Sequence, residues 1–208
     1  MNPKYIYVLI YLISFGVALA NYKKIKGTKM MWFLYILALG LLTETLGYIV
    51  GIRFKTSTFP IYNTYKILCF SAYFFLFRSY VQSKIKRKVI LAIYSSLIVF
   101  AVFNFVFYYP SILQYQLNTW IYGNLCFIVV IIVYLFDLLH RDIIHNVKNV
   151  LLFWVGIGNL LFYIGFLPVF ALSTYFNYNG IWDYTIFSLN IVMSICYVTG
   201  FIVSKRAP

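Results

Sequence analysis

Glu44 stands deep in an apolar run, in the stretch Leu42-Thr43-Glu44-Thr45-Leu46-Gly47-Tyr48. A carboxylate held away from water can bind a cation, take a hydrogen bond from a solute or relay a proton. It is costly there, so it is expected to face the inside of a helix bundle beside a partner. Gly47 and Gly51 follow at i+3 and i+7 on the same helical face, a spacing that admits close helix approach. Tyr48, Asn63, Lys66, Asn124, Asn159, Tyr163 and Asn190 interrupt other apolar runs in the same way. Together these side chains could form a polar pocket, with Glu44 and Lys66 paired at its base. The competing reading makes the asparagines interhelical clamps, each worth about 0.6 kcal/mol in a membrane. Lys66 could instead extend its stem to the headgroups.

A second cluster is Asp137, His140, Asp142 and His145. Asp137 and His140 are spaced i, i+3 and could share a metal. A catalytic zinc wants three firm protein ligands, however, and a rim facing headgroups is the expectation. Cys69, Cys126 and Cys196 lie inside apolar runs with no metal-type spacing, so they read as small core hydrophobes. Neither a metal nor a cofactor is expected. The histidines number 2 and fall in one loop, too few for a membrane hydrolase of the ceramidase kind. The last helix has no lysine for a retinal Schiff base, and no phosphate loop or nucleophile elbow is found. A lipid-modifying enzyme is therefore the weakest of the functional readings.

The elements that must position these residues are membrane helices. Of 208 residues, 63% are hydrophobic and 10% charged, whereas soluble domains carry about 25% charged residues. A water-soluble fold of this length cannot hide that much apolar surface. The net charge of +13 is spread between apolar runs rather than gathered on one face, which excludes a nucleic-acid module and points to anionic headgroups.

A spanning helix needs about 20 apolar residues. Seven segments qualify as expectations: 4–21, 30–52, 60–82, 88–109, 117–139, 148–172 and 181–203. The expected fold is all-α, a single transmembrane domain over 1–208. Pro168 falls within the sixth segment, where neighbours can satisfy the freed carbonyl. Trp32, Trp120 and Trp182 sit near segment ends, as interfacial anchors do.

Of the 17 lysines and arginines, Lys4, Arg53, Lys55 and Lys66 fall on one side of this arrangement and all others on the opposite side. The positive-inside rule then places the amino terminus outside and the carboxyl terminus in the cytoplasm of a bacterial inner membrane. Ala18-Leu19-Ala20 looks like a signal-peptidase site, but the flank Lys23-Lys24-Ile25-Lys26 is strongly basic. An uncleaved first helix is expected. With a rise of about 1.5 Å per residue, Glu44 lies about 12 Å below the outer surface. By the same rise Lys66 lies at about 9 Å, Asn124 and Tyr163 at about 10 Å, Asn190 at about 13 Å and Asn159 at about 16 Å.

Glu44-x-x-Gly47-Tyr48, Asn63-x-Tyr65, Phe153-Trp154, Gly158-Asn159-Leu160-Leu161-Phe162-Tyr163-Ile164-Gly165, Asn190 and Tyr197-x-x-Gly200-Phe201 resemble a group of small seven-helix membrane proteins common in Bacteroidota. The chain is also similar to seven-helix input modules found ahead of bacterial histidine kinases. That resemblance implies a sensory or ligand-binding role. With no output domain expected here, the signal would pass to a partner protein. The alternative is a small-solute transporter on the three-plus-one-plus-three plan, hinted at by Trp32 against Trp154, Gly47 against Gly165 and Tyr48 against Tyr163.

Overall fold

The computed structural model describes residues 3–141, 144–176 and 179–204, with side chains described over 7–141, 147–169 and 184–204. The described chain is all helical, with no strands. The α-helices are α1 (Pro3–Ala20), α2 (Tyr22–Ile25), α3 (Met31–Tyr48), α4 (Phe59–Tyr80), α5 (Lys84–Phe107), α6 (Leu117–Leu139), α7 (Leu151–Phe176) and α8 (Asn179–Val203). A π-helical turn, Ile49–Arg53, extends α3, and a 3-10 segment, Ile144–Asn149, precedes α7.

Among the described residues, five segments are long and apolar enough to cross a membrane: Met31–Arg53, Lys84–Phe107, Leu117–Leu139, Leu151–Val169 and Tyr184–Val203. The protein is thus multi-pass. Two of the expected spans are not among these five. In the first, α1 has its side chains described only over the apolar stretch Tyr7–Ala20. In the third, α4 is long enough, but Asn63, Lys66, Ser71, Arg78 and its tyrosines lower its hydropathy. α5 shows the opposite character, with Val99 and Phe107 each 69% exposed. Apolar side chains bared over a whole helix need lipid or a partner around them.

The chain forms two compact units, Trp32–Leu138 and the pair of segments Met1–Met31 and Leu139–Pro208. In the first unit α4 is the central helix. Its Phe70, Tyr73, Phe74 and Phe77 are buried. Phe70, Tyr73, Phe74 and Phe77 all pack on Phe127 of α6, at 5.0 to 6.1 Å between ring centroids. Phe74 meets Tyr94 of α5 at 5.6 Å, and Tyr73 meets Phe33 of α3 at 6.5 Å. A Cβ at Gly123 would lie 2.4 Å from Phe70 Cε2, so the missing side chain lets α6 close on this aromatic core.

Local signals set the ends of these helices. Pro60 stands in the first turn of α4, where its missing N–H costs nothing. Ser83 caps α5, its hydroxyl accepting from the Lys86 N–H. The Asp137 carboxylate, only 5% exposed, reaches the same terminus. It accepts from the Gln82 and Ser83 N–H groups at 2.9 and 3.3 Å and pairs with Lys86 Nζ at 3.6 Å. An anion is favoured at a helix start by the unpaired N–H groups and the dipole. This corrects the expectation of a headgroup-facing Asp137.

In the second unit α8 packs on both α7 and α1. Small residues bring α7 and α8 together. A Cβ at Gly158 would lie 2.9 Å from Cys196 Cβ, and one at Gly200 would lie 2.7 Å from Trp154 Cβ. Ser14 and Ser194 share a hydrogen bond of 2.8 Å between α1 and α8, and Ala18 is fully buried. The first helix is therefore a packed member of its unit. Lys24 Nζ donates to the Phe201 carbonyl at 2.7 Å, satisfying an acceptor in the last turn of α8.

Candidate functional site

Lys66 sits on α4 one turn after Asn63. Both are buried and both line a cavity of about 470 Å³ within the Trp32–Leu138 unit. That volume falls in the range of small-molecule sites. Helix α5 supplies Leu97, Ala101 and Phe105 to the wall, and Thr119 and Trp120 enter from the start of α6. The wall is almost wholly apolar. The Lys66 ammonium lies 4.2 Å from the Trp120 ring centroid and 5.1 Å from that of Phe70. A cation over an aromatic face gains about 2 kcal/mol when both are desolvated. Trp120 was expected as an interfacial anchor; its ring instead covers Lys66. Its indole N–H is buried and has no acceptor among the described residues.

Three other polar residues of the wall, Asn63, Gln116 and Thr119, hold the connection between α5 and α6. Asn63 Nδ2 donates to the Ile112 and Gln114 carbonyls at 3.1 and 2.8 Å. Gln116 donates through Nε2 to the Tyr109 carbonyl at 3.0 Å and accepts from Asn104 Nδ2 at 2.9 Å. Thr119 accepts from the same Asn104 amide at 3.0 Å. Buried amides of this kind fix a loop because each broken bond would strand a desolvated group. Burial against Trp120, 5.0 Å away, and Phe59, 5.6 Å away, pushes the phenol of Tyr115 in this connection above its ordinary pKa.

The expected site residues divide between the units. Glu44, Tyr48, Asn63, Lys66 and Asn124 belong to Trp32–Leu138, and Asn159, Tyr163 and Asn190 to the other unit. Asn63 and Lys66 share the cavity wall; Glu44, Tyr48 and Asn124 lie outside it. Glu44 accepts from the Tyr62 hydroxyl at 3.2 Å. A Cβ at Gly47 would lie 2.5 Å from that hydroxyl oxygen, so the glycine makes room for the phenol that reaches Glu44. Thr43 and Thr45 bond back to the Leu39 and Leu41 carbonyls of their own helix.

Asn124 is fully buried, and neither its amide oxygen nor its nitrogen has a partner among the described residues. Asn159 and Asn190 each donate to a carbonyl one turn back, Val155 and Ile186, both at 2.8 Å. Asn190, Ser194 and Tyr197 share one face of α8 by their spacing, and Ser194 and Tyr197 are used in packing: Ser194 bonds Ser14, and Tyr197 lies against Gly158.

Asn104, Gln116 and Thr119 escaped notice as site residues. The signal was present in the lone asparagine near the end of the apolar run of α5. No metal-type group of His, Cys, Asp and Glu occurs among the described residues. Asp142, and the side chains of His145, Trp182 and Asp183, lie outside them. The chain matches no known protein family, no curated protein and no solved structure.

Proposed function

We propose that this protein is a ligand-binding membrane protein of the sensory kind, with its site in the α4–α5–α6 cavity. The reading includes seven spans, an outside amino terminus and a cytoplasmic carboxyl terminus in a bacterial inner membrane. A bound ligand would alter the packing of α4, and a partner protein would read the change from the basic cytoplasmic loops. The single observation that carries the reading is a cavity of about 470 Å³ with a buried, aromatic-covered Lys66 in its wall. A lysine interior to a membrane bundle is a functional group before it is glue.

The division of the chain favours binding over transport. The compact units group α1 with α7 and α8, and α3 with α4, α5 and α6. A three-plus-one-plus-three transporter would instead pair consecutive triplets.

The test is a thermal-shift screen of the purified protein in lipid nanodiscs against small anions, zwitterions, sugars and amphiphiles. Wild type is compared with Lys66→Gln and Glu44→Gln. A ligand that stabilises wild type and not Lys66→Gln is expected. Identical behaviour of Lys66→Gln and wild type toward every class would contradict the reading.

A further inference from the structure

We propose that the cavity holds one acyl chain carrying an anionic head, with the head at Lys66 and the chain along Leu97, Ala101 and Phe105. This rests on the reading of the cavity as a ligand site and names the class of ligand.

The charge comes first. Among the described lining residues, Lys66 is the one with an ionisable side chain. A cationic head would be repelled by it, and an anionic head attracted. The Trp120 indole N–H, buried and without an acceptor among the described residues, adds a donor beside the ammonium. A carboxylate or phosphate is an acceptor that answers both.

Four of the remaining polar wall residues, Asn63, Ser71, Gln116 and Thr119, already serve the fold. Asn63 holds the Ile112 and Gln114 carbonyls. Gln116 and Thr119 are joined through Asn104. Ser71 donates to the Ile67 carbonyl and shares a hydrogen bond with the Tyr94 hydroxyl. A sugar or peptide would need those groups for recognition. An alkyl chain needs none of them and gains from the apolar wall.

The mouth fits the same ligand. Leu68 of α4 and Val102 and Phe105 of α5 line the cavity and are 45–58% exposed. On a membrane helix such side chains meet lipid tails, so the cavity opens sideways to the bilayer rather than to water. An amphiphile already dissolved in the membrane can enter along that path.

The experiment uses the full chain in phosphatidylcholine nanodiscs and measures saturable binding of a radiolabelled long-chain fatty acid above that of protein-free discs. Competitors are the unlabelled acid, the matching alcohol and the matching trimethylammonium. The acid is expected to compete at least about tenfold better than the alcohol, and the ammonium not at all. Lys66→Gln should lose the preference for acid over alcohol. Ala101→Phe, which fills the cavity without touching Lys66, should lose binding while keeping its melting temperature. Should Lys66→Gln fail to fold, the head-group series in wild type decides alone.

Phosphatidylglycerol in the discs separates two sources. If it competes, the natural occupant is a chain of an anionic phospholipid; if not, it is a free acid. Either result upholds the proposal. Equal competition by alcohol or ammonium overturns the anionic head and leaves the cavity as a site. No saturable binding by any of them overturns the site as well.

Discussion

The ammonium of Lys66 lies 4.2 Å from the ring centroid of Trp120, in the wall of a cavity that is mostly apolar. Lysine on α4 and tryptophan on α6 thereby join two helices through one desolvated contact. Double-mutant cycles with Lys66→Met and Trp120→Leu should give a coupling energy of about 1–2 kcal/mol. Unfolding in a mixed-micelle denaturant measures it. Additive effects would mean the pair merely shares a location.

Asp137 ties the carboxyl end of α6 to the start of α5 through two N–H groups and Lys86. Asp137→Ala should cost about 2 kcal/mol in the same assay, since a cap and a buried acceptor go together. Lys86→Met should cost less, because its side chain is 32% exposed and a part-exposed ion pair contributes little. The reverse order would show the ion pair, not the cap, to be the main contribution.

The glycines of α7 and α8 differ in what surrounds them. At Gly158 the neighbours are Cys196 Cβ and the Met193 carbonyl, and at Gly200 Trp154 Cβ, none of which can swing away. At Gly165 the near atom is Leu189 Cδ2, the free end of a flexible side chain. Gly158→Ala and Gly200→Ala should therefore lower stability by about 1–3 kcal/mol. Gly165→Ala should cost clearly less, as read by thermal melts in detergent. Equal losses at all sites would remove close packing as the reason for these glycines.

The buried Asn124 offers a separate check. Its amide has no partner among the described residues, and a stranded amide costs about 1–3 kcal/mol. Asn124→Leu is expected to raise the melting temperature. A marked fall would reveal an acceptor or donor that the amide serves.

Topology is open to direct measurement. Single cysteines at Lys26 and Lys86 should react with a membrane-impermeant maleimide only after cells are permeabilised, and one at Ser57 should react in intact cells. The opposite pattern would invert the orientation.

Helix positions were legible because unbroken apolar runs have few alternatives in 208 residues. The expected 117–139 segment coincides with Leu117–Leu139, and 60–82 lies close to Phe59–Tyr80. The character of α4 was harder to read. The residues that lower its hydropathy include Asn63, Lys66 and Tyr73, which are buried on the face of α4 that packs within its unit. Asn63 and Lys66, singled out in the sequence as polar breaks in an apolar run, both line the cavity. The roles of Asp137, Asn104 and Gln116 were not legible. Their partners are set by tertiary contact, as with the Gln116 N–H donating to Asn63 Oδ1 across 53 positions, and no local spacing announces such a pairing. The polar groups of α7 and α8 are ambiguous in sequence for a simpler reason. Asn159 and Asn190 turn to carbonyls of their own helices, a use that leaves the same mark in sequence as a pocket wall.

The most direct test is native mass spectrometry of the protein released from its own membrane into a mild detergent, wild type beside Ala101→Phe. The account expects wild type to carry a small amphiphile of defined mass, and the filled-cavity variant to carry none while remaining folded. Wild type without a bound mass, or the same mass held equally by both proteins, would contradict it.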